Sequence, residues 1–335
     1  MTSEEIKLRR LKNQHLLSPA DPQIVVKDLC GLQAQFLSHA LRGLTIRSGE
    51  ASTIGMVKSW TNRGTMHLFS ADDLPLFLHE GRTHFLRPVD TLESDAYIKA
   101  DRKAYFAQLI LDAVAQGIDE REALKAVCEN AGMSESECNS LFDPWGGLIR
   151  ALCETGKLCH KVQEKKAYQL CPTFEPMAED AARLELVRRY FTHFGPATIK
   201  DAAYFFATTQ TNVKAWIKNP PLAETVLNGK TYFYIENGAP SGEMPDRLFL
   251  PGFDQLMLGY EKTENLFLPS EYTRDIFTRA GIVRPTLLIG GSVAGWWNLK
   301  NRKLSITMFD NYDADRITQA AADTWSDLKK IEFKE

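Results

Sequence analysis

The sequence lacks any run of about 18 uncharged apolar residues, the length that a membrane-crossing helix requires. Near its start it carries Glu4, Glu5, Lys7, Arg9 and Arg10, where a secretory leader would place an apolar core. No membrane partner is therefore expected, and a cytoplasmic location is. Cysteine is scarce: six residues, at positions 30, 128, 138, 153, 159 and 171, with no Cys-x-x-Cys pair. That pattern excludes a disulfide scaffold and fits buried thiols in a reducing compartment. Cys153, Cys159, His160 and Cys171 gather around one hairpin, yet they lack the close pair that zinc or an iron–sulfur cluster uses. No metal and no cofactor is expected. Gly290-Gly291 is not followed by Gly-Lys-Ser/Thr, which excludes a phosphate-binding loop and leaves a hairpin turn.

Positive charge is also short, since the formal net charge is −3, and a nucleic-acid binder is not announced by the total. Its distribution is more informative. Residues 1–66 hold nine basic residues against five acidic ones, and residues 281–304 hold Arg284, Lys300, Arg302 and Lys303 with no acid. Such segments suit a phosphate backbone, although a solvated surface has the same composition.

What is present is a chain of 335 residues, 44% hydrophobic, long enough for several modules with their own cores. Helices followed by a short hairpin recur three times. In the first block Thr2 and Glu5 form a capping box for a helix through Gln14, and Asp21 with Pro22 opens a second helix reaching Cys30. Helices over 37–46 and 53–61 follow, then an extended segment over 65–69. The second block predicts helices over 102–116, 120–130 and 148–154, then a hairpin of 157–163 with 167–170. The third predicts helices over 179–194, 199–207 and 211–217, then strands 222–227 and 231–235 joined by the turn formers Asn228 and Gly229.

Helix, turn, helix and hairpin in this order is the winged-helix arrangement. Gly238, Pro240, Gly242 and Pro245 then mark a linker. Beyond it, 285–289, 293–298 and 304–309 read as a three-strand meander, and a helix over 314–330 follows. The fold class is α+β, with modules at 1–98, 99–175 and 176–237 and a fourth segment at 238–335. The basic hairpin tip Lys300, Asn301, Arg302 and Lys303 is the segment best suited to meet phosphates.

Gln33 and Gln35 flank Ala34 just after Gly31. In an extended segment side chains alternate, so Leu32, Ala34 and Phe36 are expected in the core while both amides share one polar space. Paired amides offer donors and acceptors that hold a water or a sugar, although two surface glutamines at a helix end would look the same. Arg63, Thr65 and His67 alternate in the same way and would share one strand face. Asp254, in Pro-Gly-Phe-Asp, suits either a turn cap or a supporting carboxylate.

Four stretches occur in one order: CGLQAQ, WTNRGTMHLFSADDLPLFL from Trp60, LFLPGFDQLMLGY from Leu248 and AGIVRPTLLIGGSVAGWW from Ala280. In these the chain resembles the AlkZ-type winged-helix DNA glycosylases. The resemblance implies three winged-helix modules in a C-shaped arrangement, a small C-terminal β-rich module, and Gln33 and Gln35 as the catalytic pair. It departs from many relatives at Phe36, where Asp is frequent, and at Asn298, where a basic residue is frequent.

The implied reaction is hydrolysis of the N-glycosidic bond of a cationic N-alkylated purine in double-stranded DNA, interstrand crosslinks included. An alkylated purine leaves readily, so water placement and charge stabilisation are the main demands. With no lysine nucleophile motif, direct hydrolysis is the expected route. Arg42, Arg63, Thr65, His67 and the tip 300–303 are the expected DNA contacts of a monomer. A non-catalytic winged-helix DNA-binding protein, regulator or repair accessory, is the alternative, and a helical enzyme that never meets DNA is a third.

Overall fold

A computed structural model describes residues 1–79, 91–95, 98–143, 146–218, 220–238 and 242–334; Pro240 of the expected linker lies outside them. Helix α1 (Ser3–Asn13) begins as expected, with Thr2 Oγ accepting from Glu5 N–H and the Glu5 carboxylate accepting from Thr2 N–H. Helix α2 (Pro22–Asp28) starts on the Asp21 cap but ends before Cys30. Cys30 turns left-handed at φ 54°, and the N–H groups of Cys30 and Gly31 bond back to Lys27 and Val26. This closes the helix by satisfying its last carbonyls. The short strand β1 (Leu32–Gln33) and helix α3 (Leu37–Ser48) follow.

The helix expected over 53–61 is instead strand β2 (Met56–Trp60), antiparallel to β3 (Met66–Ser70). The physical reason is burial on both faces: Met56, Val57, Lys58 and Ser59 are all buried, so the alternation that marks a strand is missing. A short helix α4 (Leu74–Phe77) comes next, then α5 (Ala100–Ala115), α6 (Arg121–Asn130), α7 (Glu135–Leu141) and α8 (Gly147–Glu154). Helix α7 was not expected, although Ser134 and Glu137 cap it in a box like that of α1. The hairpin β4 (Leu158–His160) and β5 (Tyr168–Leu170) forms where the sequence places it.

Helices α9 (Glu179–His193), α10 (Ile199–Phe205) and α11 (Gln210–Trp216) precede the hairpin β6 (Ala223–Leu227) and β7 (Lys230–Tyr234). Asn228 and Gly229 both have positive φ, the requirement of the tight turn that matches strand twist. Then come β8 (Arg247–Leu250), α12 (Gln255–Leu258), α13 (Thr273–Ile276), β9 (Thr286–Ile289), β10 (Ser292–Lys300), β11 (Lys303–Met308), α14 (Ala314–Thr324) and β12 (Lys330–Lys334).

The chain divides into two units. One contains Met1–Gln33, Ser38–Ser52 and Val187–Glu335, the other Ala34–Leu37 and Thr53–Leu186. In the second, β3, β2, β4 and β5 lie side by side, and the Ala34 N–H donates to Met66 O at 2.8 Å on the outer edge. Its core holds Phe106, Ile110, Leu124, Leu152, Leu158 and Tyr168 together with the thiols of Cys128, Cys138 and Cys153.

In the first unit the expected meander β9-β10-β11 is present and extended by β8 and β12, the latter parallel to β11. The helix expected to reach 330 stops at Thr324. Trp325 leaves the helical conformation and packs its ring 5.0 Å from Phe249 and 5.1 Å from Trp297. That burial outweighs another helical turn and turns the chain toward the sheet as β12.

Candidate functional site

Gln33 ends β1, 7% exposed, and faces a small cleft in the first unit. The cleft is lined by His39, Ala40 and Gly43 of α3 and by the loop Pro251, Gly252, Phe253, Asp254 and Gln255. Its free volume of about 10 Å³ is room for one water. Gly252 is required for this close approach: a Cβ there would come 2.9 Å from Val283 O and 3.0 Å from His39 Nε2. The Gly252 N–H donates to His39 Nδ1 at 3.3 Å, which ties α3 to the loop.

Asp254 is committed elsewhere. Its carboxylate accepts two bonds from the buried Arg47 guanidinium and one from Leu256 N–H at 2.8 Å, capping α12. Arg47 also donates to the carbonyls of Gln14 and Gly43. Of the two roles the sequence allowed, the structure supports the cap.

Gln255, 2% exposed, was not singled out by the sequence. Its amide nitrogen donates to Gly31 O at 2.7 Å, while its Oε1 is buried without a partner among the described residues. An acceptor in that state is costly unless a donor reaches it. Gln255 lines the same cleft as Gln33.

Gln35 lies in the bend between β1 and α3 and is exposed. The expected alternation ends at Ala34. Phe36 is 46% exposed rather than in the core, because the chain turns into α3 and leaves its ring outside.

The expected DNA contacts divide by environment. Arg42 is half-buried in α3 with its guanidinium 4.7 Å over the Trp325 ring, and burial pulls its pKa down. Arg63 is not on a strand: it occupies the tight turn between β2 and β3 at φ 58°, so it does not share a strand face with the others. Thr65 precedes β3, and its carbonyl lies 3.1 Å from Nδ1 of the buried His67.

At the tip of β10 and β11, Asn301 and Arg302 form the positive-φ turn and the whole segment 300–303 is exposed. Arg302 pairs with Asp327 at 3.0 Å and Lys303 with Glu332 at 2.8 Å. Exposed pairs of this kind are worth about 0–1 kcal/mol, so a phosphate displaces them readily.

Around the second hairpin, Cys153 is fully buried. Burial together with Lys58, Lys166 and Arg121 pushes His160 down to about 3. Among the described residues, metal-ligand atoms converge instead at His15, Asp28 and His193. Their spacing in the chain gives no hint of this.

A model of the family described as "DNA glycosylase AlkZ-like" matches residues 26–324. A curated relative from Streptomyces sahachiroi, named "Interstrand DNA cross-link repair glycosylase", is 26% identical over 94% of this chain and 92% of its own. The solved structure of a Streptomyces sahachiroi DNA glycosylase AlkZ superposes with a TM-score of 0.77 at 19% identity, covering 100% of this chain and 99% of that one. With the family match spanning most of the sequence, the chain belongs to the AlkZ-like DNA glycosylase family.

Proposed function

We propose that this chain is a monofunctional DNA glycosylase that hydrolyses the N-glycosidic bond of cationic N-alkylated purines, interstrand crosslinks among them. The observation that carries the reading is Gln33 buried at a cleft with room for one water, with Gln255, whose buried Oε1 has no partner among the described residues, also lining it. Gln33 and Gln255 orient the nucleophilic water, and the exposed Gln35 faces the sugar of a flipped nucleotide. Amide oxygens directed at the anomeric carbon stabilise its developing positive charge.

The cleft fits the water rather than the base, which departs as a neutral purine. Asp254 is held by Arg47 and supplies no proton, so leaving-group activation comes from the alkylation itself. The three helix-and-hairpin blocks, 1–98, 99–175 and 176–237, act as winged-helix modules and 238–335 as the β-rich module. The protein works as a cytoplasmic monomer, with Arg42, Arg63, Thr65, His67 and the tip 300–303 toward the duplex.

The test is a parallel single-turnover assay on duplexes that differ only in the lesion. N7-methylguanine and N3-methyladenine are released, while uracil and 8-oxoguanine persist, because expelling a neutral base needs an acid. Efficient uracil release that survives loss of Gln33 and Gln35 overturns the mechanism. Binding without release of any base replaces it with the non-catalytic reading.

A further inference from the structure

Three helix ends of the first unit meet away from the Gln33 cleft. His15 sits just past the end of α1, Asp28 is the last residue of α2, and His193 the last of α9. His15 Nε2 lies 2.8 Å from one carboxylate oxygen of Asp28, and His193 Nε2 lies 3.3 Å from the other. The ligand atoms all fall within 4.8 Å of one another, and the side chains are 17%, 23% and 16% exposed, sheltered but reachable.

His193 Nδ1 is 3.2 Å from the Asn13 carbonyl. A carbonyl only accepts, so Nδ1 carries the hydrogen, and Nε2 of the neutral ring turns its lone pair toward Asp28. A lone pair and a carboxylate oxygen 3.3 Å apart repel unless a cation lies between them.

We propose that His15, Asp28 and His193 form a binding site for one divalent first-row metal ion of the zinc class. The two Nε2 atoms and an Asp28 oxygen are its ligands, and water completes the shell. Nitrogen and carboxylate ligands suit zinc and cobalt, and the Asn13 carbonyl supplies the outer contact that metal-bound histidines usually show. Bonds of about 2.0–2.1 Å in a tetrahedron place ligand atoms roughly 3.3–3.4 Å apart. Each Nε2 lies within about half an ångström of that spacing from one Asp28 oxygen, His193 from one and His15 from the other, so a small rotation of the carboxylate brings a single oxygen to both. The ion fastens the ends of α1, α2 and α9 together, five residues upstream of Gln33.

The full chain, stripped with a chelator, is titrated with Co²⁺ and followed by its visible ligand-field absorption, then challenged with Zn²⁺. One equivalent of Co²⁺ gives the intense bands of a four-coordinate site, Zn²⁺ removes them, and added Zn²⁺ raises the Tm. His15→Asn, which keeps a residue tolerant of the left-handed backbone that His15 adopts at φ 58°, and His193→Asn each weaken binding by roughly a hundredfold with native circular dichroism. No binding by the wild type at about 100 µM metal, or equal binding by wild type and both folded variants, overturns the proposal. Metal binding is read without base excision, so the result is independent of the catalytic reading.

Discussion

Arg47 in α3 grips Asp254 with two N–H···O bonds of 2.8 and 2.9 Å, and both side chains are fully buried. The pair fastens α3 to the loop that lines the Gln33 cleft. Removing one partner strands a buried charge, which costs about 3–5 kcal/mol, whereas replacing both by apolar residues is often close to neutral. Asp254→Asn is expected to lose stability on that scale in urea unfolding, and Arg47→Met with Asp254→Leu to lose less. A single variant within about 1 kcal/mol of wild type contradicts the account.

The amides are tested directly by base release. Gln33→Ala and Gln35→Ala are each expected to slow excision of N7-methylguanine by about tenfold to a thousandfold, the range for one preorganised polar contact. Gln255→Leu is expected to slow it by about tenfold, since it removes the buried acceptor while keeping the volume. A correctly folded Gln33→Ala, Gln35→Ala double variant with wild-type rates ends the assignment.

His160 gives a pH signature. Its ordinary value is 6.5, and in the folded protein burial leads the causes that bring it to about 3. The unfolded chain therefore takes up the proton first. Stability is full above pH 6.5 and falls as the pH drops toward 3, by at most about 1.4 kcal/mol per unit. Urea midpoints at pH 7, 5.5 and 4 are expected to converge between wild type and His160→Gln as the solution becomes acid. Parallel profiles for the two proteins rule His160 out as their source.

The hairpin tip is read by salt dependence. Changing Lys300, Arg302 and Lys303 to Gln is expected to weaken binding to any duplex and to flatten log K against log salt by about 0.9 per lost contact. Asp327→Asn and Glu332→Gln, which remove the carboxylates paired with Arg302 and Lys303, are expected to tighten binding, although the Asp327 carbonyl keeps its bond from Arg302. An unchanged slope in the triple variant places the DNA surface elsewhere.

Local chemistry was legible where one short motif decides the backbone: the Thr2–Glu5 box, the Asp21–Pro22 start and the Asn228–Gly229 turn. Elements decided by distant packing were not. β2 looked helical because both its faces are buried, and α14 ends early because Trp325 finds a pocket formed by β8 and β10. The glutamine pair was readable as a motif, but the different exposure of its members follows from a bend at Gln35. Gln255 and the His15, Asp28 and His193 group come together only through folding.

The cysteines of the second unit bear on a hazard of the proposed work. A protein exposed to DNA-alkylating electrophiles is itself a target, and the thiolate is its most reactive group. Burial pushes Cys128 up to about 12 and Cys153 well above its ordinary value. At pH 7 on the order of one Cys128 thiol in 10⁵ is ionised. The same packing that builds the core thus keeps these two sulfurs, Cys128 and Cys153, in the unreactive thiol form, a form of self-protection that needs no extra residue.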